Sequence, residues 1–341
     1  MKRYIFHIVA ATVMLACIDR PMPRAAEVTP LSRLVADGRW FKQDTGARWT
    51  GIEATDFNLL NRFLNGEDIA PILRQRADVG FNVLRVWTDF DVCADGNCEQ
   101  RQPIGRLVPS EHPDYYTRLR AFLEECARHG LYVELTAFTG RSDADASRIA
   151  HWEALIAAVA PSTNVLLELI NEHNVHNKAL PYDRLRQPPA PVLASHGSGG
   201  AGAEPKLPIW TYVTYHPGFG ADWMRKAVSE GAAAADKYDV PVLLNETTRF
   251  PDNDKSLEHA YDVGRGCALM LAGCAFHSVT GKNSRLWEGH EFALAREWVR
   301  GARSIPLACQ GKDFHRVGDP NFLAVFERVG AGSECRAAIR P

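Results

Sequence analysis

Short apolar runs and helically spaced stretches alternate along most of this chain. The segment 164–172, Asn-Val-Leu-Leu-Glu-Leu-Ile-Asn-Glu, is almost continuously apolar and ends in an amide and a carboxylate. A run this short and apolar predicts a strand buried on both faces. If side-chain alternation persists to its end, Glu172 shares a face with Ile170 and Glu168, and Asn171 points the other way. Comparable runs predict strands over 49–54, 81–87, 131–138, 191–196, 210–216, 240–246 and 273–278. Between them, helical spacing predicts helices over 67–79, 115–129, 147–160, 219–237, 257–271 and 291–303, with a short one over 182–186. Gly80 and Gly130 end two of these helices and Pro161 a third.

Eight strands alternating with helices over roughly 250 residues predict an α/β (β/α)8 TIM barrel, with functional residues at the C-terminal ends of the strands. A doubly wound sheet needs fewer strands and usually a glycine fingerprint after the first, which this chain lacks. The glycine-rich stretch 196–202 is no phosphate loop, because no Gly-Lys-Ser/Thr closes it. The barrel is expected over 49–304, after an N-terminal extension over 27–48 that carries a hairpin. A C-terminal extension over 305–341 is expected to pack on the barrel.

The N-terminus has a different pattern. Met1-Lys2-Arg3 precedes a mostly apolar stretch over 4–16, too short to span a bilayer, so 1–26 reads as a signal peptide or lipoprotein signal. Met14-Leu15-Ala16-Cys17 resembles a lipoprotein box with a lipid anchor on Cys17. Cleavage near Ala25-Ala26 is the rival, and both routes place the domain outside the cytoplasm, in the periplasm, extracellular space or envelope.

Composition narrows the function classes. The 341 residues are 46% hydrophobic and 23% charged, with a formal net charge of −2, which gives no electrostatic basis for binding nucleic acid or an anionic membrane surface. A monomer is expected. Eight cysteines suit an exported protein. Cys93 and Cys98 bracket the turn-forming Ala-Asp-Gly-Asn and are the favoured disulfide pair. Cys309 and Cys335 are candidates to pin the tail, Cys126 reads as a buried free thiol, and no spacing fits a zinc site.

Polar residues interrupt the strand pattern where the barrel rule places chemistry. Arg85 shares a face with Val83 and Trp87 on the second strand. Glu172 closes the fourth, His216 the sixth, Glu246 the seventh and His277 the eighth. Strands four and seven lie roughly opposite in a closed barrel, so Glu172 and Glu246 would face each other across a cleft. Glycoside hydrolysis needs that pair: one carboxyl group protonated for the leaving oxygen, the other ionised.

Four motifs, Phe-Asn-Val-Leu-Arg-Val-Trp, Leu-Glu-Leu-Ile-Asn-Glu, Tyr-His-Pro and Leu-Leu-Asn-Glu, resemble strands two, four, six and seven of the clan-A glycoside hydrolases. The cellulase- and mannanase-like members are the nearest in pattern, and the resemblance covers roughly 48–303. It implies a retaining hydrolase of β-linked oligo- or polysaccharides that needs no cofactor. It further implies Glu172 as acid/base, Glu246 as nucleophile, Asn171 on the sugar 2-hydroxyl, Arg85 orienting the nucleophile and His216 lining the site. The chain departs from the family at three places. Phe138-Thr139-Gly140 stands where many relatives carry a histidine, His216-Pro217-Gly218 replaces His-x-Tyr, and Phe276-His277-Ser278 replaces a terminal tryptophan. Tyr215 has the wrong parity to replace the missing tyrosine. Trp287 is a candidate sugar platform.

Each residue also has a plainer reading. A lone strand-end glutamate is usually a structural ion-pair partner, and that is the expected role of the deeper Glu168. Arg85 is a candidate for its partner as much as for a catalytic auxiliary. Trp87 reads as core or as a sugar-stacking platform. Trp152, Trp223 and Trp298 read as helix-to-barrel packing. His173 and His176 lack the spacing of a His-Glu-x-x-His metal site. The competing functions are a non-catalytic carbohydrate-binding barrel, a metal-dependent barrel hydrolase and a transglycosylase using the same two carboxylates.

Overall fold

The computed structural model describes residues 30–91, 106–139, 145–175, 180–200, 203–216, 223–246, 256–277 and 284–306. Eight parallel strands form the centre: β1 (Gly51–Thr55), β2 (Val83–Trp87), β3 (Tyr132–Phe138), β4 (Val165–Ile170), β5 (Leu193–Ser195), β6 (Val213–Thr214), β7 (Val242–Leu244) and β8 (Gly273–Phe276). They lie side by side in the order β5-β4-β3-β2-β1-β8-β7-β6. Side chains knit the remaining seam between β5 and β6. Ala194 N donates to Thr211 Oγ1 at 2.6 Å, and Thr214 N donates to Ser195 Oγ at 3.1 Å. The result is a nearly closed (β/α)8 barrel, as the alternation predicts.

The helices are α1 (Leu59–Leu64), α2 (Ala70–Val79), α3 (Tyr115–Arg128), α4 (Asp145–Val159), α5 (Trp223–Tyr238), α6 (Ser256–Met270) and α7 (Gly289–Arg303). Only α1 has no counterpart in the sequence reading. Its six residues are too few for a helical period to stand out. Gly80 caps α2 with φ 112°, and a Cβ there would meet the Arg303 guanidinium at 2.7 Å. Glycine therefore ends the helix and also lets α7 dock, with Arg303 Nη2 donating to the Gly80 carbonyl at 3.0 Å.

The expected N-terminal hairpin is a three-stranded antiparallel sheet, Leu34–Asp37, Trp40–Gln43 and Arg48–Trp49. It closes the barrel floor. Leu34, Phe41 and Trp49 form one buried cluster with Val83, Tyr132, Leu166, Leu193, Tyr212 and Leu243, the inward residues of the strand bases. A second, larger cluster fills the layer between strands and helices and takes in Trp152 and Trp298. Cys126 is a buried free thiol, as expected. Cys267 on α6 and Cys274 on β8 form a disulfide that the spacing did not suggest. Cys17, Cys93, Cys98, Cys309 and Cys335 lie outside the described residues, as do the signal segment and the C-terminal extension from 307 onward. Among the described residues no helix is long and apolar enough to cross a membrane.

Candidate active site

The site is built around Arg85, which projects inward from β2 and is fully buried. Its Nη1 donates to Glu246 Oε1 at 2.8 Å, and its Nη2 donates to Glu168 Oε2 at 2.6 Å and to Asn171 Oδ1 at 2.8 Å. One guanidinium thus ties together the ends of β2, β4 and β7. Its planar fork of donors serves several acceptors at fixed angles, which a lysine could not do. Arg85 is both the partner of Glu168 and a contact of Glu246.

Alternation fails at the end of β4. Asn171 accepts from the same guanidinium as Glu168, so it points inward rather than away from Glu168. The strand ends at Ile170, and Glu172 has φ 49°, a left-handed conformation that costs a non-glycine residue about 1–3 kcal/mol. That turn lets two consecutive side chains reach the cavity. Ser198 pins it: its Oγ accepts from Glu172 N at 3.3 Å and its carbonyl accepts from His173 N at 3.0 Å. The loop can come this close because residue 197 is glycine. With φ 121°, a Cβ there would lie 2.2 Å from the Ile170 carbonyl oxygen. The glycine-rich stretch therefore buttresses the end of β4.

The end of β7 repeats the arrangement with Asn245 and Glu246. Asn245 is fully buried, and its Nδ2 donates to Glu168 Oε1 and Glu134 Oε2, both at 3.0 Å, while Glu246 turns to Arg85 at the rim. His216, at the end of β6, sits between the two rim carboxylates. Its Nδ1 is 3.4 Å from Glu172 Oε1 and 3.7 Å from Glu246 Oε2. One ligand atom from each of these three residues lies within 4.8 Å of the others.

The charges are unequal by design of the surroundings. Burial would push Glu246 up, but His216, His277 and Arg85 outweigh it and hold the carboxyl at about 2. Burial would push His216 down, but Glu246 and the hydrogen bond to Glu172 raise it above the ordinary imidazole range. Glu246 is therefore an anion throughout ordinary pH, with the Arg85 cation on one oxygen and His216 beside the other.

Deeper in the barrel lie two glutamates that the sequence reading missed, Glu53 on β1 and Glu134 on β3, both fully buried. Alternation was the available signal: each shares an inward face with Gly51 and Thr55, or with Tyr132 and Thr136. Burial and neighbouring carboxylates push Glu53 well up and Glu134 to about 7. Glu168 goes the other way, because Arg85 outweighs its burial.

The remaining candidates fall around this centre. Trp87 is half-buried, one face stacked on Phe57 at 4.0 Å between centroids, its edge near Phe90. His277 is buried against Phe57 and close enough to Glu246 to lower it. Trp287 is not a sugar platform. It is 2% exposed and stacks on the Arg76 guanidinium at 3.4 Å, fixing its loop to α2. Tyr215 does not replace the missing tyrosine either, since its hydroxyl donates to Glu230 on α5 at 3.1 Å. His173 lies 3.1 Å from the Glu204 carbonyl, and His176 is outside the described residues. Glu172, His216 and Glu246 are the described residues grouped closely enough to hold a metal ion. The guanidinium on Glu246 already supplies positive charge there and opposes a second cation.

No protein-family profile matches this chain, and no curated protein matches it by sequence. Solved structures do match it. One described as a glycoside hydrolase has a TM-score of 0.52 at 16% identity, covering 76% of this chain and 68% of its own. The exo-β-1,4-mannosidase of an Opitutaceae bacterium, strain TAV5, has a TM-score of 0.51 at 16% identity. It is covered over 62% of its length and this chain over 79%. The β-1,4-D-mannanase of Cryptopygus antarcticus has a TM-score of 0.52 at 11% identity, with 80% of this chain and 95% of that one covered. At these identities the likeness is one of fold: the barrel of this chain is the barrel these glycoside hydrolases use.

Proposed function

We propose that this chain is an exported glycoside hydrolase that cleaves β-linked glycans with retention of configuration. The observation that carries the reading is the pair Glu172 and Glu246 at the ends of opposite strands, with one carboxylate oxygen of each within 4.8 Å of the other. Retaining enzymes hold their carboxyl groups about 5–5.5 Å apart, so that one attacks the sugar directly, whereas inversion needs about 6.5–9.5 Å to admit a water.

The two carboxyl groups have different tasks in this reading. Glu246, kept ionised by Arg85 and His216, attacks the anomeric carbon and forms a glycosyl ester as the glycosidic bond breaks. Glu172 donates its proton to the departing oxygen and then removes one from the water that cleaves the ester. His216 bridges the two carboxylates and spreads the charge that shifts between them. Asn171 is fixed by Arg85 through its Oδ1, with its Nδ2 amide group left to meet a sugar hydroxyl, and Trp87 and His277 line the approach. No cofactor takes part.

The similar solved structures include a mannosidase and a mannanase, which makes β-mannan the first polymer to try. Reducing-sugar release from β-mannan, β-glucan and xylan, run beside Glu246→Gln, tests the reading. Activity of the parent that vanishes in the variant supports it. A folded parent inert on all three would point to a carbohydrate-binding barrel, and activity lost to a chelator would point to a metal hydrolase.

A further inference from the structure

The fully buried glutamates on the barrel floor have no task in the reaction proposed above, yet they meet Arg85 from the side opposite Glu246. Glu168 Oε2 accepts from Arg85 Nη2 at 2.6 Å, from Arg85 Nε at 3.3 Å and from Thr136 Oγ1 at 2.8 Å, while its Oε1 accepts from Asn245 at 3.0 Å. Every nearby hydrogen is aimed at this carboxylate. That donor set suits an anion, since the Arg85 and Asn245 N–H groups can only donate and a neutral acid would forfeit the ion pair with Arg85.

Glu134 has different surroundings. Its Oε2 accepts from Asn245 and stands 3.6 Å from Arg85 Nε, beyond hydrogen-bond reach. Its Oε1 is 2.9 Å from the Tyr212 hydroxyl, whose single proton also has the Leu167 carbonyl at 2.8 Å. Both carboxyl oxygens of Glu53 are buried without a hydrogen-bond partner, and burial together with the neighbouring Glu134 pushes this carboxyl well up. Glu53, with neither oxygen satisfied, is costly to ionise, and of the three floor carboxyl groups Glu168 is the one hydrogen-bonded to the guanidinium.

We propose that Glu168 is a positioning residue of the reaction: as an anion it clamps the Arg85 guanidinium from below, so that Nη1 stays on Glu246 and Nη2 on Asn171, while Glu134 stands beyond hydrogen-bond reach of the guanidinium. The inference rests on the hydrolase reading and adds a division of charge to it. Glu168 acts through Arg85 and touches no substrate. Without its anchor, Arg85 loses two of its donors' partners and is free to rotate away from the rim. A misplacement of about 1 Å at a reacting group costs on the order of 100-fold in rate.

The test compares Glu168→Gln, Glu134→Gln and the parent on whichever of β-mannan, β-glucan and xylan the parent hydrolyses. Glu168→Gln keeps shape and loses charge, so its kcat should fall by about 100-fold or more with KM changing far less, because Glu168 itself touches no glycan. Glu134→Gln leaves the hydrogen bonds between Arg85 and Glu168 in place and should stay within about threefold of the parent in kcat. In protein labelled with ¹⁵N-arginine, the separate Nη signals of a pinned Arg85 should survive Glu134→Gln and collapse in Glu168→Gln. Should Glu168→Gln not fold, Glu168→Asp keeps the charge but shortens the reach, and the same selective loss of kcat is expected. Parent-like kcat in the folded Glu168 variant overturns the inference, as does an equal loss in both glutamine variants. A folded parent inert on all three polymers overturns the hydrolase reading itself, and the clamp's role in turnover falls with it.

Discussion

Arg85 Nη1 lies 2.8 Å from Glu246 Oε1, although 161 residues separate them in sequence. The contact places a permanent cation on the carboxylate proposed to attack the sugar, with the His216 imidazole at its other oxygen. Because Arg85 also binds Glu168 and Asn171, the same contact sets the position of the opposite strand end. Most of what the site is expected to do follows from this sharing.

Glu246→Gln removes the nucleophile and keeps the volume. Turnover should fall by about 10⁴-fold or more with the fold retained, checked by hydrolysis rates beside circular dichroism.

Glu172→Gln should behave differently. Loss of the proton donor should cost about 10²–10⁴-fold on a natural glycan. An aryl glycoside with a good leaving group needs no proton for its first step, so a burst of released phenol should persist. Added azide, which attacks the glycosyl ester without a general base, should restore turnover. Absence of both effects would remove Glu172 from the acid/base role.

His216 lowers Glu246, so replacing it should raise Glu246. With Glu246 at about 2, the parent has no acid limb from this group at ordinary pH. His216→Asn removes the imidazolium and should bring the acid limb of kcat/KM upward by about one unit or more. An unchanged acid limb would show that Arg85 and His277 alone keep Glu246 ionised.

Stability should carry the mark of Glu134. This group is raised from 4.5 to about 7, burial being the largest cause, so the folded protein holds a proton that the unfolded chain releases. Its contribution therefore falls as pH rises from the unfolded value to the folded one and stays low above it. Glu134→Gln does not titrate. Its stability relative to the parent should grow across that interval, as read from urea midpoints at several pH values.

Arg76 tests the scaffold. It is fully buried, donates to both oxygens of buried Asp56 at 2.9 and 3.0 Å, stacks on Trp287 and donates to the Arg285 carbonyl at 2.7 Å. Arg76→Ala leaves Asp56 charged or forces it to take a proton, and should destabilise the fold by about 3–5 kcal/mol. The urea midpoint should drop accordingly, with the Glu172–Glu246 pair untouched in the folded fraction.

The strand ends were legible because burial on both faces leaves little ambiguity. The apolar runs over 165–172 and 240–246 mark strands, and the Asn-Glu pairs mark where they reach solvent. Glycine after α2 and the helical spacing of 115–129 were equally local signals. Glu168 as an ion-pair partner followed from its depth in the same run. The pairing of Cys267 with Cys274 did not follow, since a strand and the helix before it meet only once the barrel has formed.

By itself, then, the sequence determined the alternation, the barrel and the residues at its rim, because strand and helix periods and buried polar interruptions are properties of neighbours along the chain. Tertiary structure decided three further things: that Asn171 turns inward beside Glu172, that Trp287 is buried on Arg76, and that Glu53 and Glu134 join Glu168 under the site. Each depends on side chains from distant strands meeting in one low-dielectric interior. There the turn at Glu172 overrides alternation, and proximity, rather than residue type, decides which carboxyl group keeps its charge.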